Sequence, residues 1–153
     1  HLLGNQNEAA EAVRMGLRVA EGKGSLSHVS YLLSTSGEIA LAQGDLDAAE
    51  RFFTEGLAAA QRLPLPERIA GTTANLGLVA KARGQEDLAR ERLTDALTRA
   101  DALGNGHLSV RIRIWLAPLL PPEQRKTRLN EARAIAEANG YAGLLEEIRR
   151  LET

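Results

Sequence analysis

The sequence predicts an all-α fold, a right-handed α-α superhelix (solenoid) of about seven helices in antiparallel pairs, and three observations carry that reading. The first is a repeat: Gly37, Gly44, Ala49, Phe53, Gly56, Leu57 and Ala60 are matched forty residues further on by Gly77, Gly84, Ala89, Leu93, Ala96, Leu97 and Ala100. Forty residues earlier, Gly4, Ala9, Val13, Gly16, Leu17 and Ala20 hold the same register. A fixed period of about 20 to 50 residues marks a stack of supersecondary units, each unable to bury its apolar face alone. The second is helical spacing: Leu33, Gly37, Ala40 and Leu41, and again Ala49, Phe53, Gly56 and Leu57, line one face of a helix. The third is the polar break Gln43-Gly44-Asp45 between them. Gly44 supplies the left-handed residue that closes one helix, and Asp45 caps the next by accepting from its free amides.

Within such a pair, Gly37 and Ala49 fall where two antiparallel helices need close approach, and Phe53 fills the wedge beside them. Here the chain resembles the tetratricopeptide repeat, whose consensus places a bulky residue, Leu and Gly in the first helix and Ala, a large apolar residue and Ala in the second. Gly37, Ala49, Phe53 and Gly56 occupy those places in one unit, and Leu76-Gly77, Ala89, Leu93 and Ala96 fit them more fully in the next. Two departures stand out: the usual period is 34 residues, against forty here, and Gln61 and Asp101 replace the closing proline. Helices longer by about three residues each account for the first. The variant is similar to the helical-repeat regions of large bacterial signalling ATPases and transcription activators.

Taken in order, Asn5 to Glu21 reads as the second helix of a truncated first unit. Gly22-Lys23-Gly24 stops it, and Ser25 or Ser27 caps the helix that runs to about Gln43. The segment from Gly16 to Ser25 fails as a phosphate loop, because its glycine and lysine spacing is wrong and no strand precedes it. The next helix spans about Asp45 to Arg62, and Leu63-Pro64-Leu65-Pro66 makes a rigid turn with Pro66 at a helix start. A third unit follows from Glu67 to Arg83 and from Gln85 to Leu103, closed by Gly104-Asn105-Gly106 with Asn105 as the next cap.

The fourth unit is compressed. His107 to Leu119 forms its first helix with Pro118 disturbing the last turn, and Pro121 and Pro122 start a second helix that runs to about Asn139. There Ala132 and Ala136 match Ala96 and Ala100 after 36 residues. Gly140 ends it. Tyr141 to Glu152 then carries Leu144, Leu145, Ile148 and Leu151 on one face and charges on the other, as an end cap or the first half of another unit. The whole is one repeat domain over residues 1–153, with units near 1–24, 25–64, 65–104 and 105–139 and a capping helix at 141–152, read as a piece of a longer protein.

Composition fits and excludes. Aromatic residues make up 3 %, so the core is built from Leu, Ala, Val and Ile. The formal net charge of -1 supplies no long-range field to attract nucleic acid or anionic lipid. Cysteine is absent, no apolar run is long enough to span a bilayer, and a cytoplasmic location is expected. No nucleophile elbow, metal-ligand cluster or dinucleotide fingerprint is present. No enzyme, cofactor or metal is therefore expected. His28 and His107 stand far apart, with no His-x-x-x-His or Glu-rich spacing for metal or base work, and the basic run of Arg111, Arg113, Arg125, Lys126, Arg128 and Arg133 reads as a solvated face.

What remains is binding. The repeat resemblance implies a concave surface lined by the first helix of each pair, which would present His28, Tyr31, Thr35 and Glu38, then Arg68, Thr72, Asn75 and Leu78, then Arg111 and Trp115. From these, Tyr31, Thr35, Glu38, Arg68, Asn75, Arg111 and Trp115 are the candidate partner-binding residues. Asn75 sits where family members clamp a terminal carboxylate, but Thr35 and Trp115 stand at the equivalent places, so that clamp is incomplete. Asn75 is either a ligand contact or a helix-surface residue bonding its neighbours. Trp115 is either a stacking anchor or a packing residue. The expected function is a non-catalytic scaffold for a peptide or protein partner. The alternative is an effector-sensing regulatory domain of a bacterial transcription activator or signalling ATPase. An unpartnered apolar stripe on the first helix would also allow a homodimer.

Overall fold

The computed structural model describes residues 26–153, together with Arg14. Among them seven α-helices follow one another with no strand: α1 (Leu26–Ala42), α2 (Leu46–Arg62), α3 (Pro66–Ala82), α4 (Glu86–Ala102), α5 (Gly106–Leu116), α6 (Pro122–Asn139) and α7 (Ala142–Glu152). The expected helix at residues 5–21, its glycine stop and the Ser25 cap lie outside the described residues. Ser27 is inside α1 rather than capping it.

The first four described helices are 17 residues each, which makes up the forty-residue period. Their ends follow the expected chemistry. Gly44, Gly84, Gly104 and Gly140 all take positive φ, between 66° and 77°, and each ends a helix. The Asp45 carboxylate accepts from the amide of Ala48 at 3.1 Å, and the Asn105 side chain does the same for Leu108. Pro66 and Pro122 stand in the first turns of α3 and α6.

The helices pair as α1 with α2, α3 with α4 and α5 with α6, each second helix also packing on the first helix of the next pair. Small residues allow this. A Cβ built on Gly77 would stand 2.8 Å from Cγ of Leu93, and Ala49, Ala89, Ala96 and Ala100 are fully buried. Phe53 and Leu93 fill the same wedge in consecutive pairs, both with no exposed surface. Neighbouring first helices touch, α1 with α3 and α3 with α5, whereas α2, α4 and α6 approach one another less closely.

The compressed unit behaves as its prolines require. α5 ends at Leu116, and Ala117–Leu119 continue as one 3-10 turn containing Pro118. α7 follows with Leu144 and Ile148 buried against α5 and α6, and Leu145 partly buried. Leu151, expected on the same buried face, is exposed in the last turn of α7.

Candidate partner-binding face

The side of α1, α3 and α5 turned away from their second helices is where the candidate residues fall. On α1 the apolar residues Val29, Leu33, Gly37 and Ala40 are buried, while Tyr31 is 54 % exposed and Glu38 is also exposed. Thr35 spends its hydroxyl on its own helix, donating to the Tyr31 carbonyl at 3.1 Å. On α3, Arg68 and Asn75 are partly exposed, as is Leu78. Thr72, expected between them on the surface, is instead buried at 2 %. Its hydroxyl meets that of Ser34 at 3.3 Å in the seam between α1 and α3, where a polar pair satisfies itself out of water.

Contacts link the candidates in three separate stations, two across the seam between α1 and α3 and one within α5. At the first, the guanidinium carbon of Arg68 lies 5.2 Å from the centre of the Tyr31 ring, joining α3 to α1. At the second, the Asn75 amide donates to Glu38 across a long 3.5 Å. At the third, the Arg111 guanidinium carbon lies 4.7 Å from the Trp115 ring one turn further along α5. Trp115 is half-buried and packs against two apolar clusters, one centred on α4 and one on α6, which is the packing role.

Lys81, not anticipated on this face, completes the set. Its Nζ donates to the Trp115 carbonyl at 3.4 Å, and burial pushes its ammonium below the ordinary lysine range. The signal was available, because Lys81 occupies the repeat position at which Leu41 packs into the core.

The basic run around α5 and α6 does not form one solvated face. Arg113 is 7 % exposed and reaches three helices: it donates to Asp101 on α4 twice at 3.0 Å, to Glu131 on α6 at 3.1 Å, and to Ser109 on its own helix. Burial tends to push the Asp101 and Glu131 carboxyls up, but hydrogen bonds outweigh it and hold both below the usual carboxylate range. For Asp101 these come from Arg113 and Ser109; for Glu131 they come from Arg128 and Arg113. Arg113 likewise stays above its ordinary value despite burial. Asp101, one of the residues replacing the closing proline, thus fastens the third unit to the fourth. A parallel fastening joins the earlier pairs, where Arg83 at the end of α3 pairs with Asp47 and Glu50 of α2.

His107 packs edge-on against Tyr141 at 5.3 Å between ring centres. Among the described residues no group of three or more His, Cys, Asp or Glu could hold a metal ion, and no helix is long and apolar enough to cross a membrane.

A stack of antiparallel helix pairs, with glycines closing four of the helices and small residues at the crossings, defines an α-α solenoid. The tetratricopeptide repeat family matches residues 29–102, and the chain is a tetratricopeptide-like helical repeat domain. Among solved structures, BtubC (BKLC) from P. vanneervenii is similar, with 23 % identity over 99 % of this chain and a TM-score of 0.65. The chain spans 59 % of the length of that structure. A kinesin-light-chain-type protein of Podosopora anserina with nearly identical TPR-like repeats aligns over 97 % of this chain and 95 % of its own, at 14 % identity and a TM-score of 0.37. No curated protein matches the sequence.

Proposed function

We propose that the chain is a non-catalytic scaffold that receives a peptide or protein partner along the concave side of α1, α3 and α5. Repeats of this kind typically hold other proteins, and the observation supporting the reading here is the treatment of the aromatic rings on that side. Tyr31 is largely exposed, and it and Trp115 each sit under a guanidinium, in an otherwise Leu- and Ala-rich protein. Exposed aromatic and arginine side chains supply most of the energy at protein interfaces. The residues also form a line rather than a pocket. Tyr31, Asn75, Arg111 and Trp115 divide among three stations instead of converging on one small ligand, which favours a scaffold over an effector sensor.

In this reading the units near 25–64, 65–104 and 105–139 each contribute one first helix to the groove. A displayed library of random 12-residue peptides, selected on the immobilised protein, tests it. Selected peptides should lose about tenfold in affinity on Tyr31→Ala or Arg111→Ala, each such contact contributing about 1.4 kcal/mol or more. Peptides indifferent to both changes but sensitive to Glu91→Ala or Thr94→Ala on α4 would place binding on the opposite side and defeat the proposal.

A further inference from the structure

We propose that the cleft between α4 and α6, on the second-helix side, binds a small monocarboxylate with an apolar tail; this does not depend on the groove reading above. The cleft, a cavity of about 600 Å³, has the ordinary size of a small-molecule site. It accompanies the compression of the fourth unit. α5 has 11 residues where the earlier first helices have 17, and one 3-10 turn follows before Pro121 and Pro122 start α6. Leu116 and Leu120, at this short end, line the opening between the two second helices. The rim is tied in place, since Arg125 of α6 donates to the carbonyls of Ala117 at 3.1 Å and Leu120 at 3.4 Å.

The polar wall of the cleft lacks an acid that the repeat supplies elsewhere. In the earlier seam, Glu50 of α2 is met by Arg83 at the end of α3. Forty residues on, both signs are reversed: Arg90 stands for Glu50, and Glu123 for Arg83. This second couple is not made, for Arg83 ends a first helix whereas Glu123 lies in the first turn of a second one. Arg90 turns instead to Asp87 on its own helix at 2.9 Å, and its buried Nε–H has no acceptor among the described residues. Asp87 is almost fully exposed, and such surface pairs hold weakly. A carboxylate in the cleft draws Arg90 off Asp87 and accepts from Nε and one Nη together, the bidentate geometry of guanidinium with carboxylate. Arg128 lines the cleft from α6; one of its Nη atoms donates to Glu131, and further donors remain. Leu116 and Leu120 receive the tail. Glu91 and Asp95 also line the α4 wall and repel a second negative charge, which selects a monocarboxylate over dicarboxylates and phosphate.

Octanoate is the probe, titrated calorimetrically into the whole chain at two temperatures and set against octanol, octylamine, suberate and inorganic phosphate. It should occupy one site with a Kd below about 1 mM and bind more weakly as salt rises. Arg90→Gln should lower its affinity about tenfold, and Arg90→Lys should recover little, since an ammonium lacks the fork. Thr98→Trp, at an exposed position of the cleft wall, should block the site without altering charge. Circular dichroism verifies that each variant folds, and Arg128→Gln reads the same wall should Arg90→Gln unfold. The inference is overturned if any of the four control compounds binds as tightly as octanoate. It is equally overturned if octanoate binding survives both Arg90→Gln and Thr98→Trp, or if no saturable heat appears up to about 5 mM at either temperature.

Discussion

Gly37 and Phe53 lie so close that a Cβ built on the glycine would stand 2.4 Å from Cε1 of the ring, well inside any real contact. The ring has no exposed surface. Gly37→Ala should therefore destabilise by about 1–2 kcal/mol in urea unfolding, the clash outweighing the gain of about 1 kcal/mol in helix propensity. Gly37→Leu should cost more, and Phe53→Ala about 3–5 kcal/mol. Gly71 gives the control. It sits inside α3 with nothing within 4 Å of its absent Cβ, so Gly71→Ala should stabilise by up to about 1 kcal/mol. If both alanines shift the midpoint in the same direction, close approach at Gly37 is not what sets its identity.

The Arg113 joint should govern acid stability. Asp101 and Glu131 have lowered pKa values in the folded chain, so the stability they contribute is present above the ordinary carboxylate range near pH 4 and is lost as pH falls through their folded values. Asp101→Asn should flatten that acid limb. Arg113→Ala should cost about 2–4 kcal/mol at pH 7, less than a fully enclosed pair because both acids keep partial access to water. Arg113→Lys should recover little of the loss, since one ammonium cannot bridge α4 and α6 at once. An acid limb unchanged in Asp101→Asn, measured by equilibrium unfolding between pH 3 and 7, would count against the joint.

Helix caps differ between units. Asp45 caps α2 through its carboxylate, but its counterpart Gln85 makes no side-chain cap to α4. Gln85→Asp should stabilise by about 0.5–1 kcal/mol, and Asp45→Ala should cost about 1 kcal/mol. Thermal melts of the two variants decide the point.

Trp115 packs in two clusters yet remains half-buried. Trp115→Ala should cost about 2–3 kcal/mol, below the 3–5 kcal/mol of a fully enclosed ring. A cost under about 0.5 kcal/mol would make it a surface residue only.

Much of this architecture was legible because the same physical problem recurs every forty residues. Gly44, Gly84 and Gly104 announce helix ends by needing positive φ, and Gly37 with Phe53 announces a crossing by the complementarity of absent and large side chains. The surface candidates Tyr31, Arg68, Asn75 and Arg111 followed from the same register, although which of them touch could not be read from periodicity. The contact of Arg68 with Tyr31 depends on how α1 and α3 lie together. Thr72 was misplaced for a related reason: hydroxyls suit water and seams equally, and only its partner Ser34 decides between them. Arg113 was misread by composition. Leu33, Thr73 and Arg113 occupy one repeat position and are all buried, so the register itself placed an arginine in the interior and implied acids to meet it.

The seams at Gly44 and Gly84 have nearly the same backbone geometry, with φ of 77° and 74°, and separate stretches of equal length. Residues 45–84 therefore behave as a cassette whose two cut ends are interchangeable. A second copy spliced after Gly84 would keep the helix register and set Phe53 against Gly77, where Leu93 now packs. Such a chain would lengthen or shorten in whole-unit steps, each adding one first helix to the stack.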